Sequence, residues 1–316
     1  MRLSHLSRTA AALAAAATLA APAALSSTAQ ASSSHPEGMH VFRTKAARPV
    51  AGASTNNDLY YHGGIGGVGV ETGVDKVYLV EWGFNGSDPS GEVGIQTRFF
   101  SGVGGSSWNN SVTQYCQGVG SGTYFCGTSG THATNPSGMY GGIMVDNSNP
   151  LPRRLSQSAI AAEAARAAQY FGNTSASSNT TAQYVIDSPH GHSMSGFGTQ
   201  WCAWHSSTSS SYGNVAYTYF PYITDAGGSC GANIISSSTD GITIVGGHEL
   251  AETESDIFPN GGWLDASGAE NGDKCAWITS GQGAIAQVSF STGTFPVQSL
   301  WSNAFNGGAG GCVQSY

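Results

Sequence analysis

Eight carboxylates, Asp240, Glu249, Glu252, Glu254, Asp256, Asp265, Glu270 and Asp273, fall within 34 residues of a 316-residue chain that has only 19 in all. A solvated acidic face usually interleaves lysine, and here only Lys274 is near. Like charges at this density are expensive unless a cation neutralises them. A fold for this chain must either spread the window in water or gather it around a metal.

The centre of the window is His248-Glu249-Leu250-Ala251-Glu252, preceded by Ile244-Val245-Gly246-Gly247. On a helix, positions i and i+4 share one face, so His248 and Glu252 can address a single ion. Glu249 lies about 100° round from His248, where it can hold a water. In HExxH enzymes two histidines bind zinc and the glutamate is the base. Here the second ligand is a carboxylate, which zinc also accepts. Asp256 continues the same face at i+8, and Glu270 or Asp273 can return from the following loop to complete the set. That loop, Trp263 to Asp273, also has a calcium-like density of oxygen ligands, without the spacing of an EF-hand. The same short pattern arises in an amphipathic helix whose acids simply face water. The acid cluster, the apolar lead-in and the signs of secretion described next favour a metal site.

Arg2 and Arg8, the Ala-rich stretch Leu13–Leu25 and Ala29-Gln30-Ala31 form a secretory signal peptide over 1–31. The apolar run is too short for a membrane span, and no later segment qualifies, so the expectation is a soluble, secreted, extracellular protein. Losing Arg2 and Arg8 leaves 9 basic against 19 acidic residues, a net charge of −10. That sign disfavours nucleic acid as a partner. The six cysteines, an even count in an oxidising compartment, imply three disulfides, for which nearest-neighbour pairing gives 116–126, 202–230 and 275–312.

Residues 32–57 lack periodicity and read as a flexible lead or short propeptide. The clearest elements are a strand at Lys76–Trp82, a helix at 90–102, a helix over Leu155–Phe171 capped by Ser156 or Ser158, and strands at Ala182–Ile186, Gln200–His205 and Asn214–Tyr222. Residues 106–115 read as a further helix. A helix with one apolar side starts near Thr239-Asp240, both good caps, and strands separated by Gly turns follow Ala284. No repeat or linker divides 58–316, so one α+β domain is expected. His205, in Cys202-Ala203-Trp204-His205, is a candidate ligand or transition-state donor. His190 and His192 form an i, i+2 pair in a loop. No GxSxG is read around a strand–helix turn, where a nucleophile elbow would place it.

Several segments resemble the phosphate-induced, EXORDIUM-like family of secreted plant proteins and its bacterial relatives. They are Val77–Val80, the Ser101 region with Trp108, Gly196-Phe197 leading to Cys202-Ala203-Trp204-His205, the Asp240-Gly241 stretch before His248–Glu252, and Gly262-Trp263 through Asp273-Lys274-Cys275. The resemblance spans about 75–316 in order. It implies secretion, one domain and, from the bacterial relatives, a zinc-peptidase type of protein. Plant members usually carry Asn where Asp256 stands, which favours Glu270 as a ligand.

The expectation is thus a single zincin-like α+β domain with a twisted mixed sheet and residues 240–255 as the active-site helix. Zinc is the expected ion, with calcium as the other candidate. Its ligands are His248, Glu252 and Glu270 or Asp256, with Asp273 close by. Glu249 is the base and His205 steadies the developing oxyanion. The substrate is protein or peptide, the chain is a monomer, and neither nucleic acid nor membrane is a partner. The competing reading is a non-catalytic binding protein for cell wall or polysaccharide, built round structural calcium. A third is a metal-assisted hydrolase of another bond, such as a cell-wall ester.

Overall fold

The alternation of side chains along one strand sets the layers. In β2 (Lys76–Trp82), Val77 and Leu79 enter one hydrophobic cluster while Val80 and Trp82 enter another. Both faces of the sheet are therefore covered. The computed structural model describes residues 38–47 and 58–316, all within one unit spanning Pro36–Tyr316. The signal peptide expected over 1–31 and part of the lead lie outside the described residues.

The main sheet has six strands. They are β1 (His40–Arg43), β2, β3 (Tyr140–Asp146), β4 (Ala182–Asp187), β5 (Trp201–Ser210) and β6 (Gly213–Phe220), in the spatial order β1-β5-β6-β4-β2-β3. Strands β3, β2, β4 and β6 run parallel to one another, whereas β5 is antiparallel to β6 and β1 antiparallel to β5. Parallel neighbours need crossovers, and two helices supply them. Helix α1 (Glu92–Val103) joins β2 to β3, and α2 (Gln157–Tyr170) joins β3 to β4. Ser156 caps α2, its Oγ accepting from Ala159 N at 3.2 Å. On one face Ile160, Ala164, Ala167 and Ala168 of α2 meet Val80, Tyr184, Ile186, Trp204 and Tyr219. On the other, Phe99 and Phe100 of α1 share a cluster with Val77, Leu79, Val185 and Phe220.

Helix α3 (Asp240–Ser255) lies on the α1 face, and all of its 16 residues are buried. The sequence suggests one apolar and one wet side. The wet side does not exist, because the hairpin of β7 (Ala286–Phe290) and β8 (Gly293–Val297) adds Phe290, Phe295 and Val297 to the same cluster. A helix enclosed on every side has no use for an amphipathic stripe. The glycine pair before His248 allows the close packing: a Cβ on Gly247 would sit 3.1 Å from the Trp108 ring. Asp240 does not cap this helix in the usual way. Its Oδ2 accepts the backbone N–H groups of Ile235, Ser236 and Ser237 and fixes the loop leading in.

The three disulfides are Cys116–Cys126, Cys202–Cys230 and Cys275–Cys312. The second ties β5 to the segment before α3, and a loop of that length is worth about 3–4 kcal/mol in the chain-entropy account. Residues 106–115 form only a short 3-10 helix, Asn109–Gln114, because local side-chain bonds such as Asn109 N to Ser106 Oγ compete with the α pattern. Among the described residues no helix is long and apolar enough to cross a membrane.

Candidate metal centre

Three elements and one loop converge below the β1–β5 edge. Alternation on β5 turns Trp204 to the α2 face and His205 toward α3. Helix α3 contributes His248, Glu249 and Glu252, and the loop after the Trp263–Leu264 strand contributes Glu270 and Asp273. The i, i+4 geometry brings His248 Nε2 to 2.9 Å from Glu252 Oε1. Asp273 Oδ1 is 4.0 Å from the same nitrogen, and its backbone N–H donates to Glu252 Oε1 at 2.9 Å. His205 Nε2 is 2.9 Å from Glu270 Oε2 and 3.6 Å from Glu252 Oε2, joining the two carboxylates.

A further histidine completes the cluster. His40 of β1 places Nδ1 2.7 Å from Glu270 Oε2. Three overlapping triads result, each with ligand atoms within 4.8 Å of one another: His40–His205–Glu270, His205–Glu249–Glu252 and His248–Glu252–Asp273. The other face of the His248 ring sets its orientation. Nδ1 is 3.3 Å from Gln298 Oε1, while Gln298 Nε2 donates to the carbonyls of Gly272 and Ser299. This holds Nε2 toward the carboxylates, the arrangement by which an outer partner orients a metal-binding imidazole. Gly272 must be glycine here, since a Cβ would lie 2.7 Å from His248 Nδ1 and 2.9 Å from Glu252 Oε1.

The electrostatics divide the carboxylates into two kinds. Glu270 is buried, but His40 and His205 outweigh that cost and hold it below the usual carboxylate range. Burial likewise works against charge on His40, yet Glu270 pushes its pKa up to about 10. The remaining acids lack such support. Burial, then the charges of Glu270 and Asp273, push Glu249 and Glu252 well above their ordinary values. Burial followed by Glu270 takes Asp273 up to about 7. Burial drives His248 down to about 3, so its imidazole is neutral and available to a metal.

Several buried polar atoms have no hydrogen-bond partner: both Glu249 oxygens, Glu270 Oε1 and His205 Nδ1. Each such atom costs about 1–3 kcal/mol when left unmatched. Neutral imidazole nitrogen, carboxylate oxygen and unmatched lone pairs are the donor set a divalent cation satisfies. The residues present therefore fit a metal ion.

Other candidates lie elsewhere. Asp256 belongs to none of the triads; its two oxygens accept the backbone N–H groups of Asn260, Gly261 and Gly262, and so turn the chain after α3. His190 contacts Asp225 Oδ1 at 2.5 Å and His192 contacts the Pro152 carbonyl, so the i, i+2 pair does not converge. A separate triad, Glu71–Asp75–Glu254, is buried behind α3, with Gln183, Thr134 and Asn109 as its donors. Neither His40 nor Gln298 stands out in the sequence, because one lies in an aperiodic lead and the other is not a ligand type.

Gln298→Ala is expected to weaken metal binding about 10–100-fold, read by chelator competition, with the far-UV circular dichroism unchanged. Searches against family models, curated proteins and solved structures return no match to this chain.

Proposed function

We propose that this chain is a secreted, zinc-dependent peptidase whose site is zincin-like in plan. The observation that carries the reading is the convergence of His248 and Glu252, with unmatched buried atoms, beside a glutamate that no cationic side chain supports. In this reading His248, Glu252 and Asp273 hold the ion. Zinc there would supply Lewis acidity and make a water nucleophilic near neutral pH.

The chain's own residues do the remaining work. Glu249, one helical step from His248 and within 4.8 Å of ligand atoms on His205 and Glu252, takes the proton from the attacking water. It then returns that proton to the leaving amine. A raised pKa favours keeping that proton on Glu249 for delivery to the leaving amine. Glu270 fixes His205 through Nε2, and the unpartnered Nδ1 of His205 is assigned to the oxyanion. The imidazoles argue against calcium, which takes oxygen ligands. The extracellular assignment is compatible with three disulfides.

The test is metal content by mass spectrometry on protein recovered from the culture medium, with casein hydrolysis measured with and without a chelator. About one equivalent of zinc, with chelator-sensitive cleavage by chain freed of the edge strand His40–Arg43, is the expected result. Calcium or no metal, without cleavage, overturns it in favour of a binding protein.

A further inference from the structure

The candidate centre is covered, and what covers it is the chain's own edge strand. Side chains of His205, His248, Glu252 and Glu270 are at most 1% exposed. Asp273, 28% exposed, is where the centre meets solvent, and the four buried side chains stay out of reach of an extended substrate while the cover remains. Strand β1 pairs with β5 on one side only, at the end of the sheet. Its register puts His40 opposite His205 and Phe42 opposite Ala203, so both face α3.

The two inward side chains fill two distinct slots. His40 sits on Glu270 at 2.7 Å. Phe42 is stacked on His248, with ring centroids 3.7 Å apart, and on Trp277 at 4.7 Å. Backbone groups add direction. Trp277 Nε1 donates to the Arg43 carbonyl at 2.8 Å, Thr44 N to the Gln200 carbonyl at 3.1 Å and Lys45 N to the Ser229 carbonyl at 3.2 Å. All these contacts are non-covalent, and no cysteine precedes Cys116. An edge ladder flanked by side-chain slots is the geometry by which proteins take up extended peptide.

We propose that the β5 edge is a docking edge for an extended polypeptide with an aromatic residue in the slot between His248 and Trp277, and that His40–Arg43 occupies it as an internal stand-in. The bound strand therefore blocks the site until it is released. The hydrolytic consequence rests on the peptidase reading; the docking itself does not.

The tether keeps the stand-in at an effective concentration on the order of millimolar. Cutting the chain behind it and diluting to about 1 µM lowers that pressure about a thousandfold. The experiment uses the full chain with a specific protease sequence inserted between residues 48 and 57. Hydrogen exchange at Trp201–His205 and binding of a labelled peptide copying residues 39–45 are measured before and after cutting. A second, uncut chain carries His40→Ala with Phe42→Ala.

Before cutting, the edge amides are expected to be protected and the peptide not to bind. After cutting, and in the uncut double variant, protection falls and the peptide binds. A peptide with Phe42→Ala binds about thirtyfold more weakly, as expected for a buried aromatic anchor. Cooperative unfolding of the cut chain, or an edge that stays protected in both proteins, overturns the proposal and makes β1 a structural strand. Peptide binding without hydrolysis by the cut, zinc-loaded chain supports the docking edge and sinks the peptidase reading alone.

Discussion

Glu249→Gln is expected to lower kcat for peptide hydrolysis by about 10²–10⁴-fold, the range supplied by a positioned general base. The measurement belongs on chain freed of its N-terminal strand, so that access does not limit the rate. Metal content is expected to stay at the wild-type level. Glu249 has no hydrogen-bond partner for either oxygen, so the isosteric amide breaks no bond in the fold. Burial without a counter-charge is what makes the native carboxylate costly, and the neutral amide removes that cost. The variant is therefore expected to be at least as stable as the parent in denaturant. Full activity, or loss of the metal together with the activity, would exclude Glu249 as the base.

Removing the metal is expected to make stability strongly dependent on pH. Burial, with neighbouring negative charge second, raises Asp273 to about 7 and Asp256 to about 8 in the folded chain, and moves Glu249 and Glu252 in the same direction. An acid whose folded pKa is raised binds its proton more tightly when folded. Its stabilising effect is present below the unfolded value and is lost as pH rises to the folded one. Each tenfold gain in proton affinity on folding is worth about 1.4 kcal/mol. His40, raised to about 10, adds to the same trend above its ordinary value. His248 opposes it only below about 6.5, because its pKa is lowered to about 3. Between pH 6.5 and 8 the chelated protein should therefore lose stability steadily, and added zinc should lessen the slope by replacing protons of the cluster acids while leaving the part due to Asp256. Urea midpoints across that interval, with and without zinc, are the check; a flat curve for the chelated protein would contradict the electrostatic account.

The parts of the fold with strong periodicity can be read from the sequence. Lys76–Trp82 is rich in β-branched and aromatic residues, and the Ala-rich run with Ser156 before it announces α2. The disulfide pairing follows from neighbouring cysteines, since each pair closes a short loop. The enclosure of α3 cannot be read, because the covering hairpin lies more than thirty residues downstream and the helix itself carries no sign of it. Within the site, His248, Glu249 and Glu252 are visible as one helical face, and Glu270 and Asp273 as acids in the following loop. The structure brings these five together with His205. It uses Asp256 instead to bind three backbone N–H groups, a task that i+8 spacing cannot distinguish from ligation. His40 is invisible because its place is set by pairing with a strand far along the chain, and no local pattern records a partner at that distance.

The same long-range pairing has a consequence for how the molecule comes into being. His40 is made early, yet its sheet partner His205 follows 165 residues later, and Gln298, which orients His248, is made later still. Contacts of such separation close slowly and late. The cluster therefore does not reach its final geometry early on a growing chain. His248 gains its orienting partner only after synthesis has passed Gln298, which places completion of the cluster among the last events of maturation.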